Sequence, residues 1–143
     1  MFKAYTDGGS RGNPGPSAAA GVIFSPESKQ LVEVSKFLGT QTNNYAEYTG
    51  LIITLEKCIS LKIKNLEVFM DSKLIVEQMN GKWKVKKLQV LFNTAKELVT
   101  HFESITFTHL RRELNKHADS LVNQCLDSQP DSLSDKLVNC VLS

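Results

Sequence analysis

The chain opens on a strict alternation in which Phe2, Ala4 and Thr6 fall on one side and Lys3, Tyr5 and Asp7 on the other. Period two predicts a strand, with the Asp7 carboxylate closing it over the turn that follows. Residues 18–25 predict a second strand, ended by Pro26, and residues 31–38 a third, with Leu31, Glu33 and Ser35 set against Val32, Val34 and Lys36. Short connections make these three an antiparallel meander. The period then changes. Thr42-Asn43-Asn44 supplies helix-capping residues, and Tyr48, Leu51, Ile52, Leu55 and Ile59 recur at three and four, predicting a helix to about Ser60 with Glu47 on its inner side. Residues 66–71 predict a short apolar strand that is entered from a helix, is therefore parallel to the first, and also ends in an acid. Ser72 starts a helix through Asn80 that Gly81 stops, residues 88–102 a further helix, residues 105–110 a fifth strand, and Asn115 a last helix carrying Ala118, Leu121, Val122, Cys125 and Leu126.

This order predicts an α/β fold: a five-stranded mixed sheet, three antiparallel strands then two parallel, with helices on both faces. In such sheets ligands gather at the carboxyl ends of the parallel strands, where Asp7 and Asp71 both point. Neighbouring strands lie ~5 Å apart, so the two ionised carboxylates repel unless a cation sits between them. Oxygen ligands with no His or Cys nearby favour Mg²⁺ or Mn²⁺ over zinc. Glu47 and Asp119 stand in the first turns of helices whose apolar sides face the sheet, so both can lean toward the same crevice. Each also has a local explanation, Asn44-x-x-Glu47 as a capping box and Asp119 as a complement to the helix dipole.

Composition narrows the picture only a little. At 143 residues, 41% hydrophobic and 22% charged, the chain reads as one soluble domain, and a net charge of +2 names no partner. The dense basic run is Lys82-Trp83-Lys84-Val85-Lys86-Lys87, whose alternation puts charge on one side and apolar surface on the other. Cys58, Cys125 and Cys140 form no CxxC pair and no zinc spacing, and neither a signal peptide nor a membrane span is evident, so a reducing cytoplasm is expected. The nine residues Gly8 to Pro16 hold four glycines and two prolines and read as a tight loop. Their spacing is not that of a phosphate-binding GxGxxG or GxxxxGK[ST] loop.

Four blocks together carry a resemblance: Tyr5-Thr6-Asp7-Gly8-Gly9 with Gly12-Asn13-Pro14-Gly15-Pro16, Thr42-Asn43-Asn44 with Ala46-Glu47, Met70-Asp71-Ser72, and Asn115-x-x-Ala118-Asp119. In this order and spacing the chain resembles ribonuclease H of type 1, which cuts the RNA strand of RNA/DNA hybrids. The resemblance implies a catalytic domain over 1–127, a tail over 128–143 of unassigned role, and a monomer. It implies two Mg²⁺ ions, with Mn²⁺ as a substitute, held by Asp7, Glu47, Asp71 and Asp119, with Asp7 bridging both. One ion would activate water and the other stabilise the leaving 3′ oxygen, giving 5′-phosphate and 3′-hydroxyl ends with no covalent intermediate. Asn13, Asn43 and Asn44 would read the minor groove, and the Gly8, Gly9, Arg11 and Gly12 stretch with Glu47 would meet 2′-hydroxyls. Thr42 would hold a DNA phosphate, and Trp83 and Lys84 stand where longer members insert a basic handle.

The pattern departs from the family before the last carboxylate, where Thr108-His109-Leu110-Arg111-Arg112-Glu113-Leu114-Asn115 leaves no room for the mobile histidine loop of many members. It looks like the short-loop branch. His109, on a strand, and His117, on a helix, are expected to be structural, while Arg111 and Arg112 would reach the substrate backbone. A pairing of Cys140 with Cys58 is one role for the tail. Two other classes compete: a hybrid-binding module without catalysis, which should lack part of the carboxylate quartet, and a nuclease of the same fold acting on DNA, which should lack the asparagine set.

Overall fold

The computed structural model describes residues 1–129. In chain order the elements are β1 (Phe2–Ser10), β2 (Gly15–Phe24), β3 (Gln30–Gln41), α1 (Asn43–Ser60), β4 (Asn65–Met70), α2 (Lys73–Met79), α3 (Gln89–Val99), β5 (Ser104–His109), a 3₁₀ turn (Arg112–Leu114) and α4 (Lys116–Asp127). The sheet runs β3-β2-β1-β4-β5, with β1 central, antiparallel to β2 and parallel to β4. The expected mixed sheet of three antiparallel and two parallel strands is therefore present.

Alternation along the strands sorts the core into two layers. Ala4 and Ile23 join Leu51, Leu55, Leu66 and Val68 beneath α1, while Ala18, Ala20 and Val22 join Leu121, Val122 and Leu126 of α4, with Tyr5 and Phe24 packed against them. Neighbours in sequence thus go to opposite faces, as the pleat requires, and the sheet is covered on both sides. Tyr5 stacks on Phe69 of β4 with ring centroids 5.0 Å apart and meets Phe24 of β2 edge-on, tying three strands together on the α4 face.

Four local departures from the expected elements are present. Gly8 and Gly9 lie within β1, paired with Ala19 and Ala18, and the turn proper is confined to residues 11–14. The parallel ladder to β4 ends earlier, at Thr6 opposite Met70. Beyond Thr6, β1 is therefore paired on one side only, and the strands part at Asp7 and Asp71. Residues 82–87 form an irregular segment in place of the alternating edge, because Gly81 and Leu88 both turn left-handed and no neighbouring strand offers them a ladder. α3 stops at Val99 so that a tight turn can tuck Phe102 into the core.

α1 approaches the sheet closely because small residues line the contact. A Cβ on Gly8 would overlap the Ala46 carbonyl and the Glu47 amide, and one on Gly50 would overlap the Asp7 carbonyl oxygen and lie 3.1 Å from its carbon. These contacts press the first turns of α1 against the end of β1. They are what brings a helix-borne carboxylate to a strand-borne one.

Candidate active site

Asp7 and Asp71 each lie one residue past the last pair of the β1/β4 ladder, Asp7 still within β1 and Asp71 just after β4, and Glu47 reaches them from α1. One carboxylate oxygen from each of the three lies within 4.8 Å of the other two, an arrangement that can hold a metal ion. The Glu47 carboxylate accepts a hydrogen bond from the Gly8 amide at 2.9 Å. The capping box with Asn44 does not form. Thr42 caps α1 instead, its hydroxyl accepting from the Tyr45 amide at 3.2 Å, because Glu47 lies on the buried side of the helix and finds its donor on β1. Asp119, in the first turn of α4, lines the same cleft but stands outside the close triad, and its carboxylate accepts from Asn123 Nδ2 at 3.4 Å.

Electrostatics mark this cluster as unresolved charge. Burial, then the Asp71 charge, raises the Asp7 carboxyl to about 7, and burial with both neighbouring acids raises Glu47 well above the ordinary carboxylate range. Asp7 and Glu47 are buried beside Asp71, which disfavours their ionised forms without a counter-charge, and among the described residues no lysine or arginine forms an ion pair with the three acids. All donors are hard oxygens, so the set fits a hard divalent cation.

Asn115 is the site residue that the sequence reading left as a helix starter. It is 1% exposed, and its Nδ2 donates to the Thr6 carbonyl at 2.9 Å and toward Asp71 Oδ2 at 3.4 Å. It thereby joins the splitting strands at the position where their own ladder ends, and it aims Asp71. Its Oδ1 has no partner among the described residues. The block Asn115-x-x-Ala118-Asp119 contained the signal, since an asparagine one turn before the acid places its amide over the same strand ends.

The cleft holds about 470 Å³ and is also lined by Gly8, Gly9, Arg11, Asn43, Asn44 and Arg112. Arg11 is tied to Asp127 at 2.7 Å, and of Arg111 and Arg112 only Arg112 lines the cleft. Asn13 Oδ1 accepts from the Asn43 amide at 3.1 Å, and Asn43 Oδ1 accepts from the Ser10 amide at 2.8 Å, so both side-chain carbonyls are used within the protein. Their Nδ2 groups, on exposed residues, have no acceptor among the described residues. Gly12, Asn13 and Thr42 do not line the cleft itself. Trp83 and Lys84 lie in an adjoining groove with Lys82, Lys86 and Lys87, and Asn44 borders both. His109 ends β5, and His117 on α4 is 2.6 Å from Glu33 of β3, a structural tie. Cys58 is buried, and its pairing with Cys140 lies outside the described residues. Among the described residues no helix is long and apolar enough to cross a membrane.

The model of the reverse transcriptase-like family matches residues 5–125. A ribonuclease HI of Halobacterium salinarum is 39% identical over 126 residues, covering 87% of this chain and 63% of that protein. A bifunctional protein of Mycobacterium tuberculosis is 43% identical over 129 residues, 88% of this chain but 35% of its own length. The chain thus spans about a third of one relative and under two thirds of the other. Among solved structures, ribonuclease H1 from Halobacterium salinarum superposes with a TM-score of 0.87 at 38% identity, over 90% of this chain and 98% of that one. LC11 ribonuclease H1, solved in complex with an RNA/DNA hybrid, gives 0.84 at 40% identity over 89% and 97%.

Proposed function

We propose for this chain, which belongs to the reverse transcriptase-like family, the activity of a ribonuclease H: metal-dependent endonucleolytic hydrolysis of the RNA strand of RNA/DNA hybrids, leaving 5′-phosphate and 3′-hydroxyl ends. The observation that carries it is the meeting of Asp7, Glu47 and Asp71 from three separate parts of the chain within 4.8 Å, two of them buried. Buried like charges are costly, and a fold that holds three of them close together has a use for them. The ribonuclease H1 neighbours at about 40% identity support the same reading, one of them holding a hybrid.

Asp7, Glu47 and Asp71, with Asp119 across the cleft, would hold two Mg²⁺ ions, for which Mn²⁺ would substitute, and these would supply activation of water and stabilisation of the leaving 3′ oxygen. The chain's own residues do the rest. Gly8 donates its amide to Glu47 and so fixes that carboxylate, and Asn115 orients Asp71. The free Nδ2 groups of Asn13 and Asn43 suit the minor groove, whose base edges present acceptors at every pair, and Asn44 joins them at the cleft border. Glycines 8, 9 and 12 with Arg11 leave backbone open to 2′-hydroxyls, the feature that tells RNA from DNA. Thr42, whose hydroxyl accepts from Tyr45, keeps its own proton to donate to a DNA phosphate. Trp83 and Lys84 grip the DNA strand in the neighbouring groove, and Arg112 reaches the scissile backbone. The domain of residues 1–127 acts as a monomer in the cytoplasm.

The test is incubation with labelled hybrid, RNA duplex and DNA duplex in Mg²⁺, in Mn²⁺ and in chelator. Metal-dependent cutting of the hybrid's RNA strand alone is expected, and its absence would remove the proposal. Asp7→Asn and Asp71→Asn should each abolish cutting while hybrid binding persists; an active variant would mean that the carboxylates are misassigned.

A further inference from the structure

Gln78 of α2 is 6% exposed and makes two side-chain hydrogen bonds that lead in different directions. Its Oε1 accepts from the Tyr48 hydroxyl of α1, a residue 1% exposed, and its Nε2 donates at 3.1 Å to the carbonyl of Lys84. The backbone carbonyl can only accept, so the amide has one satisfactory orientation, and the Tyr48 proton completes it. A surface segment with no ladder of its own is thus fastened through a buried amide to the helix that carries Glu47 and Asn43.

We propose that Gln78 is a positioning residue for substrate grip: through Tyr48 and the Lys84 carbonyl it sets the distance between the Trp83–Lys84 segment and the cleft. The inference rests on the reading of that segment as a contact to the DNA strand. Three features support it. Trp83 is 44% exposed, too open to be anchored by the core, so its placement falls to the backbone beside it. Within residues 82–87 the segment makes backbone hydrogen bonds only near its start, from Lys82 and Trp83 to Glu77, which leaves Gln78 as the tie at Lys84. Asn44 borders both the cleft and the groove, so a shift of the segment changes the path along which a bound strand runs between them.

Gln78→Met keeps volume while deleting both bonds, and Tyr48→Phe deletes only the bond to α1. Losing this tie costs the segment its order before binding, so KM for a long hybrid should rise roughly tenfold in Gln78→Met, with kcat within about twofold. Hydrogen exchange of residues 82–87 should quicken while that of β1 and α1 holds. Tyr48→Phe should give the same split, smaller, and serves if the methionine variant unfolds. A hybrid short enough to end before the groove should show no difference between variant and parent. An equal fall in kcat, or an unchanged KM with quickened exchange, would overturn the inference. Trp83→Ala with Lys84→Ala separates the two claims: if that double variant leaves KM unchanged, the reading of the groove fails, and if it raises KM while Gln78→Met does not, only the positioning role of Gln78 fails.

Discussion

Gly8→Ala tests the contact on which the site depends. The added Cβ would meet the Ala46 carbonyl and the Glu47 amide, which are backbone atoms that no rotamer change can move aside, so α1 and β1 must separate by roughly an ångström to reach ordinary contact. α1 is fixed along its length by Leu51, Leu55 and Cys58, all fully buried, and cannot shift without opening the core. Overpacking of this kind costs about 1–3 kcal/mol, and weakening the Gly8 amide bond to the Glu47 carboxylate adds about 1.5–3. Against this, alanine gains about 0.4–1 kcal/mol by restricting the unfolded chain. The net expectation is a loss of about 3 kcal/mol, a fall in Tm of roughly 10 °C for a chain of this length. Displacing Glu47 by such a distance should also cut activity on the order of 100-fold. Gly9→Ala is the control: its Cβ would sit 3.4 Å from Val122 Cγ1, an ordinary contact, so stability should change by less than about 1 kcal/mol. Urea unfolding followed by circular dichroism, in chelator so that metal binding adds no stability, reads both variants. Equal midpoints for Gly8→Ala and the parent would refute the argument that close packing of α1 on β1 delivers Glu47.

Other expectations follow from the charges and from Asn115. Burial and the Asp71 charge hold the folded Asp7 carboxyl at about 7, above its unfolded value of ~3.9, so the folded chain keeps a proton that the unfolded chain has released. Metal-free stability should therefore fall as pH rises from about 4 to 7, with Glu47, raised by burial and by both neighbouring acids, acting in the same direction, which thermal melts in chelator across pH would register; a rise over that window would contradict the burial argument. Calorimetric Mg²⁺ titration should show affinity climbing up to about pH 7, because the ion must displace that proton. Asp7→Asn should raise the chelator Tm while abolishing cleavage, since it removes one of three crowded charges; a lower Tm would mean that repulsion is not the dominant strain. Asn115→Ala should cost about 1–3 kcal/mol and reduce activity, as it strips the Thr6 carbonyl of its buried donor and frees Asp71; a fully active variant would remove Asn115 from the site.

Much of this could be read from the chain because the information is local. Alternation at β1 and helical spacing in α1 follow from periods of two and 3.6, and an acid at the end of each of two strands needed only the count of elements to be aligned. The four motif blocks then named the carboxylates together. What escaped depends on contacts between distant segments. The 82–87 run alternates like a strand, yet strand structure needs a neighbour to pair with, and none among the described residues adjoins it. Glu47 looks like half of a capping box, and only the approach of β1 to α1 diverts it to the Gly8 amide. Asn115 reads as a helix start, and its bonds to Thr6 and Asp71 span 109 and 44 positions of the chain.

The sequence by itself determined the sheet's order of elements, the identity of the acids and the glycines that permit close approach, since each is written in residue type and period. Only the tertiary structure decided that Asp7, Glu47 and Asp71 form the tight triad while Asp119 stands apart on the cleft wall. The reason is geometric: the ladder between β1 and β4 ends at Thr6 and Met70, β1 continues beside β2, and α1 comes down onto it where Gly8 and Gly50 leave space. Separations of a few ångströms between residues 24 to 64 positions apart arise from packing, and no local pattern encodes them.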